Sequence, residues 1–400
     1  MEIAAYIEGV LNAAREASVD LAQASSAAKN AALLAMADRL LASADAIKSA
    51  NADDVKAAEA AGLAKAMVDR LRVTDKRLAA MAQGLREVAA LVDPVGEVIG
   101  GWVRPNGLRI EKVRVPIGVI CMIYESRPNV TADAAGLCLK SGNACVLRGG
   151  KEALRSNLAI HAALAQGLEA AGLPEAAIQI INTPDRAAVD LLCQAEGRVD
   201  LIIPRGGEGL IRAVVEKARV PVIKHYKGVC HTYVDQGADL DLAVKVSLNA
   251  KVQYPAVCNA MECLLVHEAE AAAFLPRMAQ GLKDAGCRIK GCAKTRALVP
   301  WAEAVTEADF DVEYNDLVLN VKVVSGLDEA VKHIARHGSK HSDAIITRDL
   351  ERARTFAARV DSAAVFINTS TRCNDGGQFG FGAEIGISTD KLHARGPMAL

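Results

Sequence analysis

One thiol of this chain has neighbours that suit a nucleophile. Cys258 lies between a polar, turn-prone stretch at residues 249–255 and an apolar run at residues 264–266. A thiol at the mouth of a buried element can lie near a helix N-terminus, where its pKa falls and the thiolate becomes a nucleophile. The chain has 10 cysteines, and a cysteine more often only packs in a core. Whether Cys258 is a nucleophile must therefore be judged from other segments of the sequence.

Two glycine pairs follow predicted strands and precede predicted helices. The first lies between Arg148 and Lys151, and the second is Gly206-Gly207. Free backbone N–H groups at such helix starts can hold phosphate oxygens. Neither G-x-G-x-x-G nor a P-loop motif occurs, and a glycine pair alone is also compatible with a plain tight turn. Two pairs at equivalent places favour a dinucleotide site.

The composition is that of an ordinary globular protein. The chain has 400 residues, of which 51% are hydrophobic and 24% are charged, and its formal net charge is -1. Because single cores stop growing near about 250–300 residues, we expect two domains. A net charge near zero gives no positive field, so we expect no nucleic-acid partner.

No segment of the sequence predicts a membrane span or a secretory leader. No apolar run approaches the ~20 residues of a spanning helix, and the N-terminus lacks a basic stretch followed by an apolar one. The cysteines have irregular spacing without C-x2-C pairs, which is typical of reduced thiols rather than of disulfides or a zinc site. We therefore expect a cytoplasmic protein with no membrane partner and no metal.

The first hundred residues predict helices, followed by a hairpin. Apolar residues at helical spacing predict amphipathic helices, one of which begins after Thr74 as N-cap and stops at Asp93-Pro94. Asn106-Gly107, flanked by alternating residues, predicts a hairpin. This hairpin is either a subunit contact or a plain surface feature.

From residue 117 the pattern alternates between strand and helix. Apolar strands without alternation, joined by crossover helices, predict parallel sheets of the doubly wound type, in which ligands bind beyond the carboxyl ends of the strands. The predicted strands are 117–124, 144–147, 178–181 and 199–203, then 232–234, 262–266 and 363–367; the predicted helices are 130–140, 156–171 and 187–195, one after Asp239 to 248, and 350–359.

Four segments resemble those of one enzyme family along the whole chain. The chain is similar to the glutamate-5-semialdehyde dehydrogenases, also called gamma-glutamyl phosphate reductases, of the aldehyde dehydrogenase superfamily. One departure is Cys373, where the family pattern leads us to expect an aromatic residue after Thr371-Arg372. The resemblance is carried by ESRPNVTADAAGLCLKSGNACVLRGG (125–150), IPRGG (203–207), VCNAMECLLVH (257–267) and GFGAEIGISTDKLHARGPM (380–398).

The resemblance implies an α/β fold of the aldehyde dehydrogenase type, with two doubly wound parallel-sheet domains and a small hairpin for oligomerisation. Residues 1–228 would form the N-terminal helices and the NADP-binding domain, and 229–365 the catalytic cysteine domain. The segment 366–400 would return to the first domain. No linker marks the boundary, which rests on the change of repeating unit.

The resemblance also implies NADPH-dependent reduction of L-glutamate 5-phosphate to the 5-semialdehyde, in proline synthesis. Cys258 would attack the acyl phosphate, and the thioester would accept a hydride. The oxyanion donors would be the Cys258 backbone N–H and the side chain of Asn129. We expect a small-molecule substrate, a homo-oligomer and possible functional coupling with glutamate 5-kinase.

A missing residue separates this chain from the oxidising members of the superfamily. Those members place a glutamate base upstream of the cysteine, whereas residues 224–228 contain no carboxylate. Water activation is not needed when phosphate exchanges with the thioester. His225 occupies about that place, either as a general acid or as a structural histidine.

The remaining site residues are assigned to cofactor and substrate. Arg148 and Lys151 would favour NADPH by holding its 2′-phosphate, or else form a solvated helix start. Gly206 and Gly207 would line the second strand-end loop of the cofactor site. By resemblance, Glu313 would hold the nicotinamide ribose. Because the substrate carries a phosphate and a carboxylate, cations must lie near the thiol, and the candidates are Arg127 and Arg372.

Three alternatives stay open at this point. One is another acyl reductase or an aldehyde oxidase of the same superfamily. A cysteine acyltransferase or hydrolase would also use an activated thiol, but it has no use for paired glycine loops. A non-catalytic binding protein on this fold would keep the architecture without a reactive Cys258.

Overall fold

The computed structural model describes residues 3–63, 65–392 and 395–398, so His393 and Ala394 of the last signature segment lie outside the described residues. The chain divides into two compact units. The first contains the chain up to Lys224, Gly380–Gly386 and the end from Met398, and the second contains His225–Phe379 and Ile387–Pro397. The chain thus passes from the first unit to the second between residues 224 and 225, whereas the sequence suggested a boundary between 228 and 229. It re-enters the first unit at Gly380, whereas the sequence suggested residue 366.

The first unit begins with helices and continues with a hairpin and alternating strands and helices. Its helices are α1 (Ile3–Gln23), α2 (Ser26–Ala42), α3 (Ala44–Ala60), α4 (Lys65–Leu71), α5 (Asp75–Ala90), α6 (Asn129–Lys140), α7 (Leu154–Ala170), α8 (Ala187–Cys193) and α9 (Glu208–Lys217). Its strands are β1 (Val98–Val103), β2 (Arg109–Val113), β3 (Val119–Tyr124), β4 (Ala144–Gly149), β5 (Ile178–Ile180) and β6 (Leu201–Arg205).

The second unit has a larger parallel sheet than the first, and two short strands lie in the C-terminal segment. Its helices are α10 (Leu240–Val252), α11 (Glu268–Asp284), α12 (Ala293–Leu298), α13 (Leu327–His337) and α14 (Leu350–Arg359). Its strands are β7 (Cys230–Val234), β8 (Met261–His267), β9 (Arg288–Gly291), β10 (Glu303–Ala304), β11 (Val318–Val324), β12 (Ser342–Ile346) and β13 (Ala364–Ile367); β14 (Gly386–Ser388) and β15 (Gly396–Met398) lie in the C-terminal segment.

A parallel sheet positions the glycine loops of the first unit. Its strand order is β5-β4-β3-β6, and every residue of β3 is buried, as expected for a strand covered on both faces. Strands β4 and β6 both pair with β3 in parallel. Because their carboxyl ends lie at the same edge, the two glycine loops that follow them also lie at that edge.

The predicted hairpin is present and exposed. Strands β1 and β2 pair in antiparallel register, with Trp102 opposite Ile110 and Val103 opposite Arg109. Gly107 has a φ of 82°, a conformation that favours glycine. Val98, Trp102 and Val103 are exposed, so the hairpin presents apolar side chains on the surface of its unit.

A seven-stranded parallel sheet organises the second unit. Its order is β10-β9-β11-β8-β7-β12-β13, which confirms the predicted fold class. Strands β9 to β12 were not predicted, because they are short or, like β11, interrupted by Asn320 and Lys322. Thr74 and Asp239 cap α5 and α10 through their side chains as predicted. Among the described residues, the structure has no helix of the length and apolar character that a membrane crossing requires.

Candidate active site

Cys258 lies in a tight turn directly before β8. The Ala260 backbone N–H donates to the Val257 carbonyl at 3.0 Å, and β8 begins at Met261. The thiol is half-buried. The sequence argument suggested a helix N-terminus as the source of an acidic thiol, and that idea was wrong, because a turn and a strand follow Cys258.

Two imidazoles flank the thiol within the second unit. One ring nitrogen of His225, one of His341 and the Cys258 Sγ all lie within 4.8 Å of one another. The centroids of the two imidazole rings are 5.1 Å apart. His225 Nδ1 lies 2.8 Å from the Ile387 carbonyl, so Nδ1 carries the proton that it donates there. His341 Nδ1 lies 2.7 Å from the Ser342 hydroxyl.

These rings make the thiol acidic. Burial alone would raise the pKa of Cys258, but the charges of His341 and His225 and hydrogen bonds to both rings hold that pKa well below its ordinary value. A thiolate paired with an imidazolium is the reactive form of a nucleophilic cysteine. The structure therefore supports the assignment of Cys258 by an electrostatic cause other than the one suggested by the sequence.

The backbone of Cys258 rests directly on Gly228. A Cβ at position 228 would lie 1.9 Å from the Cys258 carbonyl oxygen and 2.4 Å from its Cα, distances that no side chain allows. The Cys230 thiol donates to the same carbonyl at 3.1 Å. These contacts fix the turn that presents the nucleophile.

A carboxylate from a distant segment, that of Glu313, interacts electrostatically with the thiol. Burial raises the pKa of Glu313, the negative charge of Cys258 raises it further, and a hydrogen bond from the Gly228 N–H lowers it. His225 and His341 also interact with it. The sequence argument considered only residues 224–228, which contain no carboxylate, and therefore missed the interaction of Glu313 with His225.

A buried ion pair supports the Glu313 loop. Lys251 Nζ lies 2.7 Å from Glu262 Oε2, and both side chains are buried. The other carboxylate oxygen accepts the Asn315 backbone N–H at 3.3 Å, and burial raises the pKa of Glu262 to about 7. Since an unpartnered charge here would be costly, the pair holds the loop in place.

Arg372 contacts the residue next to the thiol. Its guanidinium donates to the Asn259 side-chain oxygen and to Gln253 at 3.3 Å. Asn259 in turn donates to the Asn374 carbonyl at 3.0 Å. Arg372 thus lies at the Cys258 turn with part of its donor capacity already used. Its neighbour Cys373 is half-buried.

Arg127 and Asn129 lie in the first unit and line the same small cavity. The cavity has a volume of about 50 Å³ and is also lined by Asp133, Arg205 and Glu384. Asn129 donates to Asp133 at 2.8 Å. Burial raises the pKa of Asp133 to about 6, against the hydrogen bond from Asn129 and the charge of Arg205. Sequence reasoning missed Asp133.

Arg148 and Lys151 differ although they flank one loop. Arg148 is buried and donates to the carbonyls of Gly149 and Pro184, each at 3.1 Å. Burial lowers its pKa. The idea of a solvated helix start is therefore wrong for Arg148. Lys151 is exposed at the start of a 3-10 turn, so its ammonium is the one open to a phosphate.

The second glycine loop offers acceptors as well as donors. Gly207 is the N-cap residue of α9 and provides no side-chain cap, and its N–H donates to the Glu125 carboxylate at 3.0 Å. The carboxylate of Glu152 accepts the backbone N–H of Ser126 at 2.7 Å beside the first loop. Carboxylates at strand ends suit ribose hydroxyls, and exposed lysine suits phosphate. These residues fit a nicotinamide dinucleotide.

Sequence reasoning also missed His341 and Gly228. His341 directly precedes β12, as Cys258 precedes β8, but β12 was not predicted, so nothing placed this histidine at the same edge of the sheet. The fit of Gly228 against Cys258 is a tertiary contact without a local signature.

Comparison with protein families and curated sequences gives a consistent result. The model of the Aldehyde dehydrogenase family matches residues 3–289. A gamma-glutamyl phosphate reductase of Moorella thermoacetica is 57% identical over 398 residues, covering 100% of this chain and 95% of the relative. One from Thermodesulfovibrio yellowstonii is 54% identical over 400 residues, covering 100% of this chain and 96% of the relative.

Comparison with solved structures points to the same family. The crystal structure of a gamma-glutamyl phosphate reductase from Thermotoga maritima matches with a TM-score of 0.96 and 46% identity, covering 98% of this chain and 95% of that one. An acetylating aldehyde dehydrogenase from Geobacillus thermoglucosidasius, at 17% identity and a TM-score of 0.69, covers 98% of this chain and 92% of that one, and shares the fold.

Proposed function

The chain belongs to the aldehyde dehydrogenase family, and within it to the gamma-glutamyl phosphate reductases, and we propose that it reduces L-glutamate 5-phosphate to the 5-semialdehyde with release of phosphate. It is an enzyme for a small-molecule substrate and uses a nicotinamide cofactor, for which we propose NADPH. The observation that carries the chemistry is the Cys258 sulfur within 4.8 Å of one nitrogen from each of two imidazoles, which lower the thiol pKa. This activity places the protein in proline synthesis, after the kinase that makes the acyl phosphate.

Cys258 supplies the covalent step. Its thiolate attacks the acyl carbon, the carbon–oxygen bond to phosphate breaks, and a thioester remains on Sγ. The leaving phosphate needs one proton, which an imidazolium beside the thiol can give. His225 suits this role better than His341, because His225 is half-buried whereas His341 is fully buried. Solvent can therefore restore the proton of His225.

The second half of the reaction regenerates the thiolate. NADPH, when bound, would supply a hydride to the thioester carbon. The resulting oxyanion on the thiohemiacetal collapses to the aldehyde and expels the Cys258 thiolate, which His341 and His225 stabilise. We assign stabilisation of the oxyanion to the Cys258 backbone N–H and the Asn129 amide. Asp133 accepts from that amide at 2.8 Å and would orient it.

The loops at the carboxyl edge of the first sheet would hold the cofactor. Lys151 would contact the 2′-phosphate, and Gly206 and Gly207 would let the backbone approach the pyrophosphate. Arg148 would shape this loop through its carbonyl contacts. Glu313 would accept from the nicotinamide ribose, as in the superfamily. We assign the anionic groups of the substrate to Arg127 and Arg372.

The exposed hairpin supports the proposal of a homo-oligomer. Its apolar side chains, among them Val98, Trp102 and Val103, lie on strands in which most residues are exposed. A second copy of this chain would cover them, since exposed apolar strands invite pairing. Functional coupling with glutamate 5-kinase and a cytoplasmic location complete the proposal.

The reverse reaction tests the proposed function. With glutamate semialdehyde and NADP, the thioester needs an acyl acceptor, and we expect phosphate to be that acceptor. Without phosphate, NADPH should appear only as a burst of at most about one equivalent per site, as when an acyl-enzyme accumulates. Stopped-flow absorbance of NADPH with and without phosphate measures this.

Glu313 makes the experiment sharper, because its carboxylate interacts with the Cys258 thiol and is a candidate to activate water. Sustained NADPH formation in phosphate-free buffer, with free glutamate as product, would show a hydrolytic aldehyde dehydrogenase instead. If Glu313→Gln then removed that turnover, the water-activating base would be identified as well.

A further inference from the structure

A row of polar side chains crosses the sheet of the second unit. Asp343, His231, Cys263 and Asn320 are register partners on the neighbouring strands β12, β7, β8 and β11. Register partners in a sheet point to the same face, and all four residues are fully buried. Cys263 belongs there to an apolar cluster with residues of α13 and α14. Polar groups in such a place are costly unless they have partners.

Helix α13 places a further histidine, His333, next to this row. Cys263 Sγ lies 3.6 Å from His333 Nε2, and a ring nitrogen of His231 lies within 4.8 Å of both. His231 Nδ1 is 3.0 Å from the Asp343 carboxylate. Its Nε2 is fully buried and has no hydrogen-bond partner. That nitrogen carries a lone pair on the side away from Asp343.

We propose that Cys263, His231 and His333 form a buried binding site for one Zn²⁺ ion, distinct from the catalytic thiol. Zinc binds thiolate at about 2.3 Å and imidazole at about 2.0–2.1 Å, so tetrahedral ligands lie about 3.3–3.6 Å apart. The Cys263–His333 pair already has this spacing, at 3.6 Å. The ion satisfies the lone pair of His231, for which the protein provides no donor.

Asp343 orients the proposed ligand. Its Oδ1 accepts from His231 Nδ1 at 3.0 Å and from the His231 backbone N–H at 2.8 Å, and Ser362 donates to Oδ2. A carboxylate that fixes the tautomer of a metal-binding histidine is a recurrent feature of zinc sites. The Cys263 thiolate and this carboxylate together balance two positive charges.

Lys322 is the group that opposes the ion. Its Nζ lies 3.4 Å from His333 Nδ1 and 3.6 Å from Glu329 Oε1. When the metal takes Nε2, the ring proton moves to Nδ1, and Lys322 keeps Glu329 as its partner. Binding of zinc at Sγ releases the thiol proton of Cys263.

The experiment must separate this site from the catalytic cluster, which also offers one cysteine and two histidines. It therefore uses the full chain with Cys258→Ala, expressed in zinc-supplemented cells and purified without chelators. We expect elemental analysis to find about one Zn²⁺ per chain, retained after brief exposure to a chelator because the ligands are buried. Adding Cys263→Ala or His333→Gln should remove the metal. Cys287→Ala, at a buried thiol outside the cluster, should leave it.

Expression with Co²⁺ gives an independent readout. The Cys258→Ala chain should show the thiolate-to-cobalt absorption of a tetrahedral site, and Cys263→Ala should abolish it. A metal-free Cys258→Ala chain from both media overturns the proposal. So does metal retained equally when Cys263 or His333 is replaced. If the double variants do not fold, the zinc content and cobalt spectrum of Cys258→Ala alone decide.

Discussion

Two clusters in the second unit have the same composition, one cysteine and two histidines, but their thiols have opposite properties. Cys258 with His225 and His341 has a lowered pKa and a half-buried sulfur. Cys263, five positions later in the sequence, is fully buried with His231 and His333, and burial raises its pKa. Residue types alone therefore do not make a nucleophile.

The difference comes from the position of each cysteine on β8. Cys258 precedes the strand in a turn and is half-buried. Cys263 lies inside the strand and faces an apolar cluster, where a charge is stable only with a compensating ion. Access and charge compensation decide whether a thiol reacts or binds.

Replacing each of the two cysteines separately with alanine should give the largest difference in turnover. Cys258→Ala should lower NADPH turnover by several orders of magnitude, because the covalent step is lost, while NADPH binding followed by fluorescence stays intact. Cys263→Ala is the matched control and should keep turnover within about tenfold. Loss of activity in folded Cys263→Ala, with activity kept in Cys258→Ala, would reverse the assignment.

The imidazoles should account for the acidity of Cys258. Replacing His341 with Gln removes a positive partner, so the thiol pKa rises and the thiolate fraction at neutral pH falls. We expect turnover to drop by about 10²–10⁴ at pH 7. The iodoacetamide alkylation profile should move toward the ordinary thiol range near about 8.5.

His333→Gln is the control for this experiment, because it alters the second cluster and should leave the alkylation profile unchanged. An unchanged profile in His341→Gln would mean that another group lowers the pKa of Cys258.

A smaller effect should follow from moving the turn without altering its chemistry. Gly228→Ala places a Cβ 1.9 Å from the Cys258 carbonyl, so the turn must shift. A misplacement of about 1 Å costs roughly 10²-fold in rate, while the Cys263 cluster keeps its geometry. Wild-type kcat in a folded Gly228→Ala variant would contradict this role. Gly9→Ala, at an exposed helical position with nothing within 4 Å, serves as a stability control.

The sequence predicted most of the framework and part of the site. Unbroken apolar runs identified β3 and β4, and the apolar run at residues 264–266 identified β8; these strands position the glycine loops and Cys258. Runs such as Ser342–Ile346 begin with polar residues and were missed. The polarity of β12 has a structural cause, because Asp343 at its start is a partner of His231.

What local patterns lacked was information on distant contacts. Glu313 lies far from residues 224–228 in the sequence, yet it accepts a hydrogen bond from the Gly228 N–H. An arginine beside a glycine loop suggests a phosphate ligand, but Arg148 is buried and donates to backbone carbonyls of the neighbouring loops. Such pairings depend on tertiary structure, which no spacing rule encodes.

The interleaving of the two units in the chain has a consequence for biosynthesis. The first unit takes its early residues up to Lys224 and then Gly380–Gly386, and Ile385 from that late segment is buried in its core. The ribosome therefore synthesises nearly all of the second unit before it adds Ile385, which completes the core of the first unit. Until then, the nascent first unit has an apolar surface where Ile385 will pack, which makes it a natural client for chaperones.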